Sequence, residues 1–256
     1  MAKDILEIKN LTASYDENIA VRDASLCVKK GEVFCIVGES GSGKTTLIKA
    51  VCRDRTVKIN DGEIFFDGEC ISNLNAKKMD KLLGKRMGLI QQNPDGAFNP
   101  LRPLEAQFRE TLKSHGKNFD KNRLKDIFTT LGLKDMDKIL KSRPYELSGG
   151  MNQRIAIAAS FILEPELLLC DEITSALDVT TAISVTDELL RLKNDMNVSV
   201  VLVTHNLGIA SNIADRIGIM YKGQIVECGD AKDVLMSPQH DYTKRLLLDV
   251  PRLKAI

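Results

Sequence analysis

Glycines and a lysine at residues 38–45 have the spacing of a phosphate-binding loop. The segment reads GESGSGKT, which fits the pattern G-x-x-x-x-G-K-[ST], and an apolar run precedes it while a helical run follows it. Backbone N–H groups of such a loop surround phosphate oxygens, and the helix N-terminus adds its dipole. We expect Lys44 to reach the β- and γ-phosphates of a nucleotide, and the Thr45 hydroxyl to ligate Mg²⁺. The predicted phosphate-binding residues are Gly38, Ser40, Gly41, Ser42, Gly43, Lys44, Thr45 and Thr46.

Two adjacent carboxylates, Asp171 and Glu172, follow the apolar run at residues 167–170. Ligands of parallel α/β sheets bind at the carboxyl ends of the strands, so this position suits groups that act on a bound nucleotide. We expect Asp171 to lie beside Mg²⁺ and Glu172 to polarise an attacking water as a general base. The alternative is a solvated acidic turn. Two acids side by side favour hydrolysis over simple nucleotide binding.

A second anion-binding sequence, Ser148-Gly149-Gly150, precedes another helical run. Small residues at a helix N-terminus leave the backbone N–H groups open to an anion. One triphosphate does not require two such sites from one chain. Two chains do require them if the helix of each one closes the phosphate loop of the other.

In combination, these motifs resemble the ATP-binding cassette of ABC transporters, and the resemblance covers essentially the whole chain. It implies that Tyr15 stacks on adenine, that Gln92 touches Mg²⁺ and the attacking water, and that His205 contacts the γ-phosphate. It also implies that residues 175–178 cross a dimer interface. The implied catalytic residues are Glu172, His205 and Gln92, the Mg²⁺ ligands are Thr45, Gln92 and Asp171, and the nucleotide contacts add Tyr15, Ser148, Gly149 and Gly150 to the loop.

The chain departs from the family pattern at two positions. Met151 stands where many members have glutamine, and Ile173 stands where a proline is common. Loss of the proline affects the rigidity of the loop after the acids. No side chain that the resemblance makes catalytic is missing.

Two further segments resemble the dipeptide, oligopeptide and nickel importers within this family. One is residues 92–101, and the other is the tail at residues 237–247 and 250–253. The tail also reads as an ordinary amphipathic helix. The amino-acid sequence of the first segment favours nickel or another metal chelate as cargo, with peptides as the open alternative.

Hydrophobic patterning predicts an α/β core that is interrupted by a helical lobe, and the resemblance implies that residues 1–256 form a single ABC domain. The core lobe takes about residues 1–92 and 160–256, with a mostly parallel sheet and an N-terminal antiparallel β subdomain. The helical lobe takes about residues 93–159. Strands are predicted at residues 6–11, 24–28, 33–37, 63–66, 167–170 and 198–204. Helices are predicted at residues 46–51, 104–113, 123–131, 155–163 and 182–196.

Composition restricts the class of protein further. The 256 residues carry a formal net charge of +1, which argues against nucleic-acid binding through bulk charge. The N-terminus does not resemble a signal peptide, and no apolar run approaches the roughly 20 residues that cross a bilayer. These features predict a soluble, cytoplasmic chain, and the resemblance implies that it is peripheral to the cell membrane at its cytoplasmic face.

The resemblance implies partners as well as chemistry. These are two integral-membrane permeases, a second ABC ATPase that is either the same chain or a sister subunit, and an extracytoplasmic substrate-binding protein. Nucleic acid is not expected. Three rival interpretations are a cytosolic ABC ATPase that acts on ribosomes or DNA, a P-loop kinase for small molecules, and an export or lipoprotein-release cassette. A P-loop kinase would not need the sequence at residues 147–150, so that interpretation leaves these residues unexplained.

The segment at residues 93–104 is the predicted contact with the permeases. It starts beside Gln92, and its three prolines disfavour a regular helix. Its apolar side chains include Phe98, which we expect to anchor a short cytoplasmic helix of a permease. The alternative is a loop packed within the chain.

Overall fold

The computed structural model describes residues 3–248, which form two compact units. The first unit is built from residues 3–79 and 201–248, and the second is Asp80–Val200. The chain passes between the units twice, once inside a helix at residues 79–80 and once inside a strand at residues 200–201. The predicted importer signature at residues 250–253 lies outside the described residues. The lobe boundaries near residues 92 and 160 stay a prediction.

Strands and helices alternate along most of the chain. The strands are β1 (Asp4–Tyr15), β2 (Asn18–Lys29), β3 (Val33–Val37), β4 (Lys58–Phe66), β5 (Glu69–Cys70), β6 (Met87–Ile90), β7 (Leu167–Asp171), β8 (Ser199–Thr204), β9 (Arg216–Tyr221) and β10 (Gln224–Asp230). The helices are α1 (Lys44–Val51), α2 (Ala76–Leu82), α3 (Leu104–Ser114), α4 (Lys121–Thr130), α5 (Met136–Lys141), α6 (Gly149–Phe161), α7 (Val179–Met196), α8 (Leu207–Ile213), α9 (Ala231–Met236) and α10 (Asp241–Leu248). Every predicted strand and helix is present, several of them longer than predicted.

The first unit contains an antiparallel sheet with the strand order β2-β1-β4-β5. Its inward face is apolar, and Leu6, Ile8 and Leu11 of β1 are buried there. The register of β1 shifts around Asn10, where a Cβ on Gly62 of β4 would lie 2.5 Å from the Asn10 carbonyl oxygen. Glycine is therefore required at that bulge. This is the antiparallel subdomain that the sequence predicts.

The first unit also holds strands in the order β10-β9-β3-β8. All five residues of β3 are buried, as is typical of a parallel strand that is covered on both faces. Strand β3 runs parallel to β9, and β9 turns back antiparallel into β10. The turn is Lys222-Gly223, whose φ angles of 48° and 85° suit a tight hairpin. The sequence analysis did not predict this hairpin.

The second unit contains β6 parallel to β7, with the start of β8 next in the strand order. Helices α3 to α5 come between β6 and β7 in the chain, as the predicted helical insertion requires. Helix α7 buries Ala182, Val185, Leu189 and Leu192 of the predicted apolar stripe, while Met196, its last predicted member, is half-buried. The predicted fold class, a P-loop α/β core with an antiparallel N-terminal sheet, is confirmed. Within residues 3–248, no helix is both long enough and apolar enough to cross a membrane.

Candidate nucleotide-binding and hydrolysis residues

The phosphate loop connects β3 to α1 in the first unit. Gly41 and Gly43 have φ angles of 81° and 107°, which side chains other than glycine rarely adopt. Lys44 opens α1 and is 3% exposed. Its Nζ donates to the carbonyl oxygens of Gly38, at 2.9 Å, and Glu39, at 2.8 Å. The ammonium group is thus folded back over the loop, where an incoming phosphate would meet it.

Strand β9 and its turn hold the loop from the other side. A Cβ on Gly38 would lie 2.2 Å from the Met220 carbonyl oxygen, so no side chain fits there. The Gly223 N–H donates to the Ser42 carbonyl oxygen at 2.9 Å. The Ser42 hydroxyl itself is buried, and among the described residues it has no hydrogen-bond partner. A buried hydroxyl in this state fits a loop whose missing partner is a phosphate.

The remaining loop residues and two more predicted nucleotide contacts lie in the same unit. Ser40 is exposed, Thr45 is half-buried and Thr46 is buried. Tyr15 ends β1, half-buried, with the Lys49 Nζ of α1 5.5 Å from its ring centroid. His205 follows β8 and is exposed.

The predicted acids and the glutamine lie in the second unit. Asp171 is the last residue of β7 and is 8% exposed. Glu172 is half-buried, and its φ of 48° is in the left-handed region. The Gln92 Nε2 donates to the Glu172 Oε2 at 3.2 Å and to the Ser175 Oγ at 3.3 Å. The structure thus brings the predicted general base and the predicted glutamine into contact, although 80 positions separate them in the chain.

Ser175 is a contact that the sequence analysis did not assign to this group. The loop at residues 175–178 was expected only at a dimer interface, and no local pattern indicates that its first hydroxyl accepts from Gln92. The loop ends at Asp178, whose carboxylate caps α7 by accepting from the Thr181 N–H at 3.0 Å. Gln92, Glu172 and Ser175 are therefore one hydrogen-bonded group.

The Ser148-Gly149-Gly150 sequence opens α6 in the second unit, as predicted. Ser148 is the N-cap residue, and its Oγ accepts from the Met151 N–H at 3.3 Å. A Cβ on Gly149 would meet no described atom within 4 Å. Packing within the chain therefore gives no reason for a glycine at that position, as expected where an external group approaches the helix N-terminus.

The helix that carries this sequence is fixed to its neighbour. The Arg154 guanidinium binds Glu188 of α7 through two hydrogen bonds, of 2.7 and 3.0 Å, and also donates to the Ser184 hydroxyl. Both charged side chains are largely buried. Because a bidentate pair fixes direction as well as distance, α6 presents Ser148 from a rigid base.

Known proteins share both the sequence and the fold. Residues 21–175 match the ABC transporter family. The dipeptide transport ATP-binding protein DppD of Bacillus subtilis is 39% identical, over 97% of this chain and 77% of the relative. The metal-staphylopine import system ATP-binding protein CntD of Staphylococcus aureus is 36% identical, over 95% of this chain and 92% of the relative.

A solved structure supports the same family assignment through its fold. A dimeric ATP-binding cassette in a post-hydrolysis state, bound to ADP and Pi, superposes with a TM-score of 0.77 and 26% identity, covering 88% of this chain and 98% of that chain. The chain belongs to the ABC transporter family and is one of its ATP-hydrolysing subunits.

Proposed function

We propose that the chain drives uptake of a metal chelate or a peptide as the ATPase subunit of an importer at the cytoplasmic face of the membrane. The observation that carries this proposal is the contact between Gln92 and Glu172. Residue 92 leads directly into the segment predicted to meet the permeases. A change at the proposed hydrolytic carboxylate can therefore reach that segment through one hydrogen bond and then along the backbone from Gln92.

The proposed roles of the site residues follow from their chemistry. Lys44 binds the β- and γ-phosphates, and the N–H groups of the loop surround them. Glu172 accepts the proton of the attacking water, oriented by the Gln92 amide. His205 contacts the γ-phosphate, and Tyr15 stacks on the adenine.

Mg²⁺ fits the oxygen donors among these residues. The Thr45 hydroxyl, the Asp171 carboxylate and the Gln92 amide oxygen are hard ligands of the kind that Mg²⁺ accepts. Because the Gln92 Nε2 donates to Glu172 and Ser175, its oxygen is the amide atom left for a cation. When bound, Mg²⁺ would neutralise charge on the phosphates.

A second ATPase chain, either identical or a sister subunit, is the proposed partner of the second unit. Two large apolar side chains of α7, Val179 and Ile183, are 74% and 47% exposed. They lie within the first turns of the helix, next to Thr181, which approaches Gly150. An exposed apolar surface beside an open helix N-terminus suits a partner that brings its own phosphate loop.

The proposed permease contact is a groove of about 520 Å³ in the second unit. Its apolar lining includes Met87, Ile90, Ala97, Phe98, Ala156 and Leu163. Phe98 is half-buried, and its ring centroid is 6.4 Å from that of Phe108, so the ring reaches the core while one part faces the groove. We propose that the occupant is a short helix from the cytoplasmic side of a permease, with Phe98 as the aromatic anchor.

Replacement of Phe98 by aspartate should weaken permease association by at least about 2 kcal/mol, the scale of a hot-spot loss. ATP binding by the isolated chain should be unchanged, because the phosphate loop lies in the other unit. The measurement is co-purification with the multispanning permeases, which also separates an importer from a cytosolic ATPase.

Leu101→Asp is the matched control. Leu101 is 74% exposed in the same segment but does not line the groove. Full retention of the permeases by Phe98→Asp, or equal losses from both variants, would exclude the groove as the docking site. A lower melting temperature of isolated Phe98→Asp would favour the packed-loop alternative.

Two classes of cargo, metal chelates and peptides, are candidates for this importer. We propose a metal chelate because of the sequence of residues 92–101, while the similarity to DppD supports a peptide equally well. Extracytoplasmic binding proteins usually select the cargo in such importers, so no residue of this chain is assigned to it. Uptake of labelled nickel chelate or of labelled dipeptide by cells that depend on the chain separates the two.

A further inference from the structure

A tyrosine from the last described helix touches the phosphate loop. Tyr242 lies in α10 and is 3% exposed, and its hydroxyl accepts a hydrogen bond from the Glu39 N–H at 3.2 Å. Burial raises the pKa of Tyr242, so the phenol stays neutral at physiological pH. Both residues belong to the first unit, and 203 positions separate them in the chain.

The ring of Tyr242 is fixed by a second tyrosine. It stacks on Tyr221 with ring centroids 4.0 Å apart and an interplanar angle of 25°. Tyr221 ends β9, directly after Met220, whose carbonyl oxygen is the atom that excludes a side chain at Gly38. The strand that packs against the loop thus also orients the ring that bonds to it.

The start of α10 is tied to β10 independently of the tyrosines. The Glu227 carboxylate accepts from the Gln239 N–H at 2.8 Å and from the His240 N–H at 3.0 Å. Burial raises the pKa of Glu227, but the hydrogen bonds that it accepts outweigh burial and keep this pKa below its ordinary value. His240 in turn accepts from the Tyr242 N–H through Nδ1, at 3.1 Å. The Tyr242 hydroxyl therefore has a defined position before any nucleotide binds.

Tyr242 and Lys44 hold the same peptide group from its two ends. The peptide between Gly38 and Glu39 donates its N–H to Tyr242 and accepts at its carbonyl oxygen from the Lys44 Nζ, at 2.9 Å. Hydrogen bonds in such a chain polarise one another and fix the plane of the peptide. Without the hydroxyl, that peptide is held by a hydrogen bond at its carbonyl end only, and the resting position of Lys44 is less well defined.

We propose that Tyr242 is a positioning residue for the phosphate loop, which makes the C-terminal segment part of the nucleotide site. It touches neither phosphate nor the attacking water, so its contribution is to the affinity for ATP and ADP and not to the chemical step. Loss of the hydrogen bonding between the Tyr242 hydroxyl and Glu39 predicts nucleotide binding that is about 3- to 10-fold weaker.

The test compares Tyr242→Phe with Tyr221→Phe in the full-length chain. Each variant keeps the stacked pair and loses one hydroxyl, and only the first of them removes the bond to Glu39. Calorimetry gives the Kd for ATP and for ADP, and an assay with the permeases present gives KM and kcat separately. The expected result for Tyr242→Phe is a rise of about 3- to 10-fold in both Kd values and in KM, with kcat unchanged and a melting temperature lowered by no more than about 4 °C, the effect of one hydrogen bond.

Tyr221→Phe should match the unaltered chain in every measurement. Unchanged Kd values in Tyr242→Phe would overturn the proposal. So would equal losses in both variants, or a fall in kcat without a change in KM. Weaker binding together with a melting temperature lowered by clearly more than about 4 °C would show a general role in folding instead, and would also overturn it.

Discussion

Replacement of Glu172 by glutamine is expected to leave ATP binding in place and to slow hydrolysis by about 10²- to 10⁴-fold, the usual span for loss of a general base. Glutamine has the shape of glutamate but cannot take the proton from the attacking water. Because binding persists without turnover, the ATP-bound dimer should accumulate. Steady-state ATPase in the presence of the permeases measures the first effect, and gel filtration with ATP measures the second.

Glu164→Gln is the matched control for that experiment. Glu164 pairs with Lys117 and Arg123 on the surface of the same unit, so the variant makes the same chemical change outside the predicted site. Its turnover should stay near normal. Near-normal turnover by Glu172→Gln would remove the carboxylate from the role of general base.

Mixing a Lys44→Ala chain with a Ser148→Arg chain should restore activity that neither chain has alone. Lys44→Ala removes the cation that reaches the phosphates, so by itself it should bind ATP more weakly in calorimetry. Ser148→Arg blocks the open N-terminus of α6. In a mixed dimer, one of the two sites combines an intact phosphate loop with an intact Ser148, so an equal mixture should recover about a quarter of the normal rate.

Restored activity depends on each site being built from two chains. The prediction assumes that the two sites of a dimer hydrolyse ATP independently. If the mixture then hydrolyses no more ATP than the separate variants, while cross-linking shows that mixed dimers form, a site built from two chains is excluded. Melting curves provide a further control, because Ser148 caps α6 and the loss of a cap lowers stability by about 1 kcal/mol.

The sequence indicates those parts of the fold that depend on local pattern. The stripe of α7 repeats at helical spacing, and the five apolar residues of β3 lead into a loop whose glycines have a characteristic spacing. Both elements occur as predicted because neighbouring residues decide them. The β9–β10 hairpin was missed because Lys222-Gly223 is a weak turn signal and β10 has no strongly alternating pattern.

Contacts between distant residues are harder to predict. The sequence places Gln92 and Glu172 together only through a family resemblance, and it gives no sign that Ser175 joins them. The bond from Glu39 to Tyr242 has no sequence signal at all, because an exposed loop N–H and a tyrosine in a terminal helix are both common. Such contacts are set by the packing of whole elements and not by local preference.

The left-handed backbone at Glu172 lowers thermal stability at the position that we propose for ATP turnover. A residue with a Cβ pays about 1 kcal/mol or more in that region, whereas asparagine tolerates it better. Glu172→Asn should therefore melt about 2–4 °C higher in the absence of nucleotide, and an equal or lower melting temperature would contradict the strain. A laboratory selection that rewards survival at high temperature, and nothing else, would tend to discard the carboxylate that we propose as the general base.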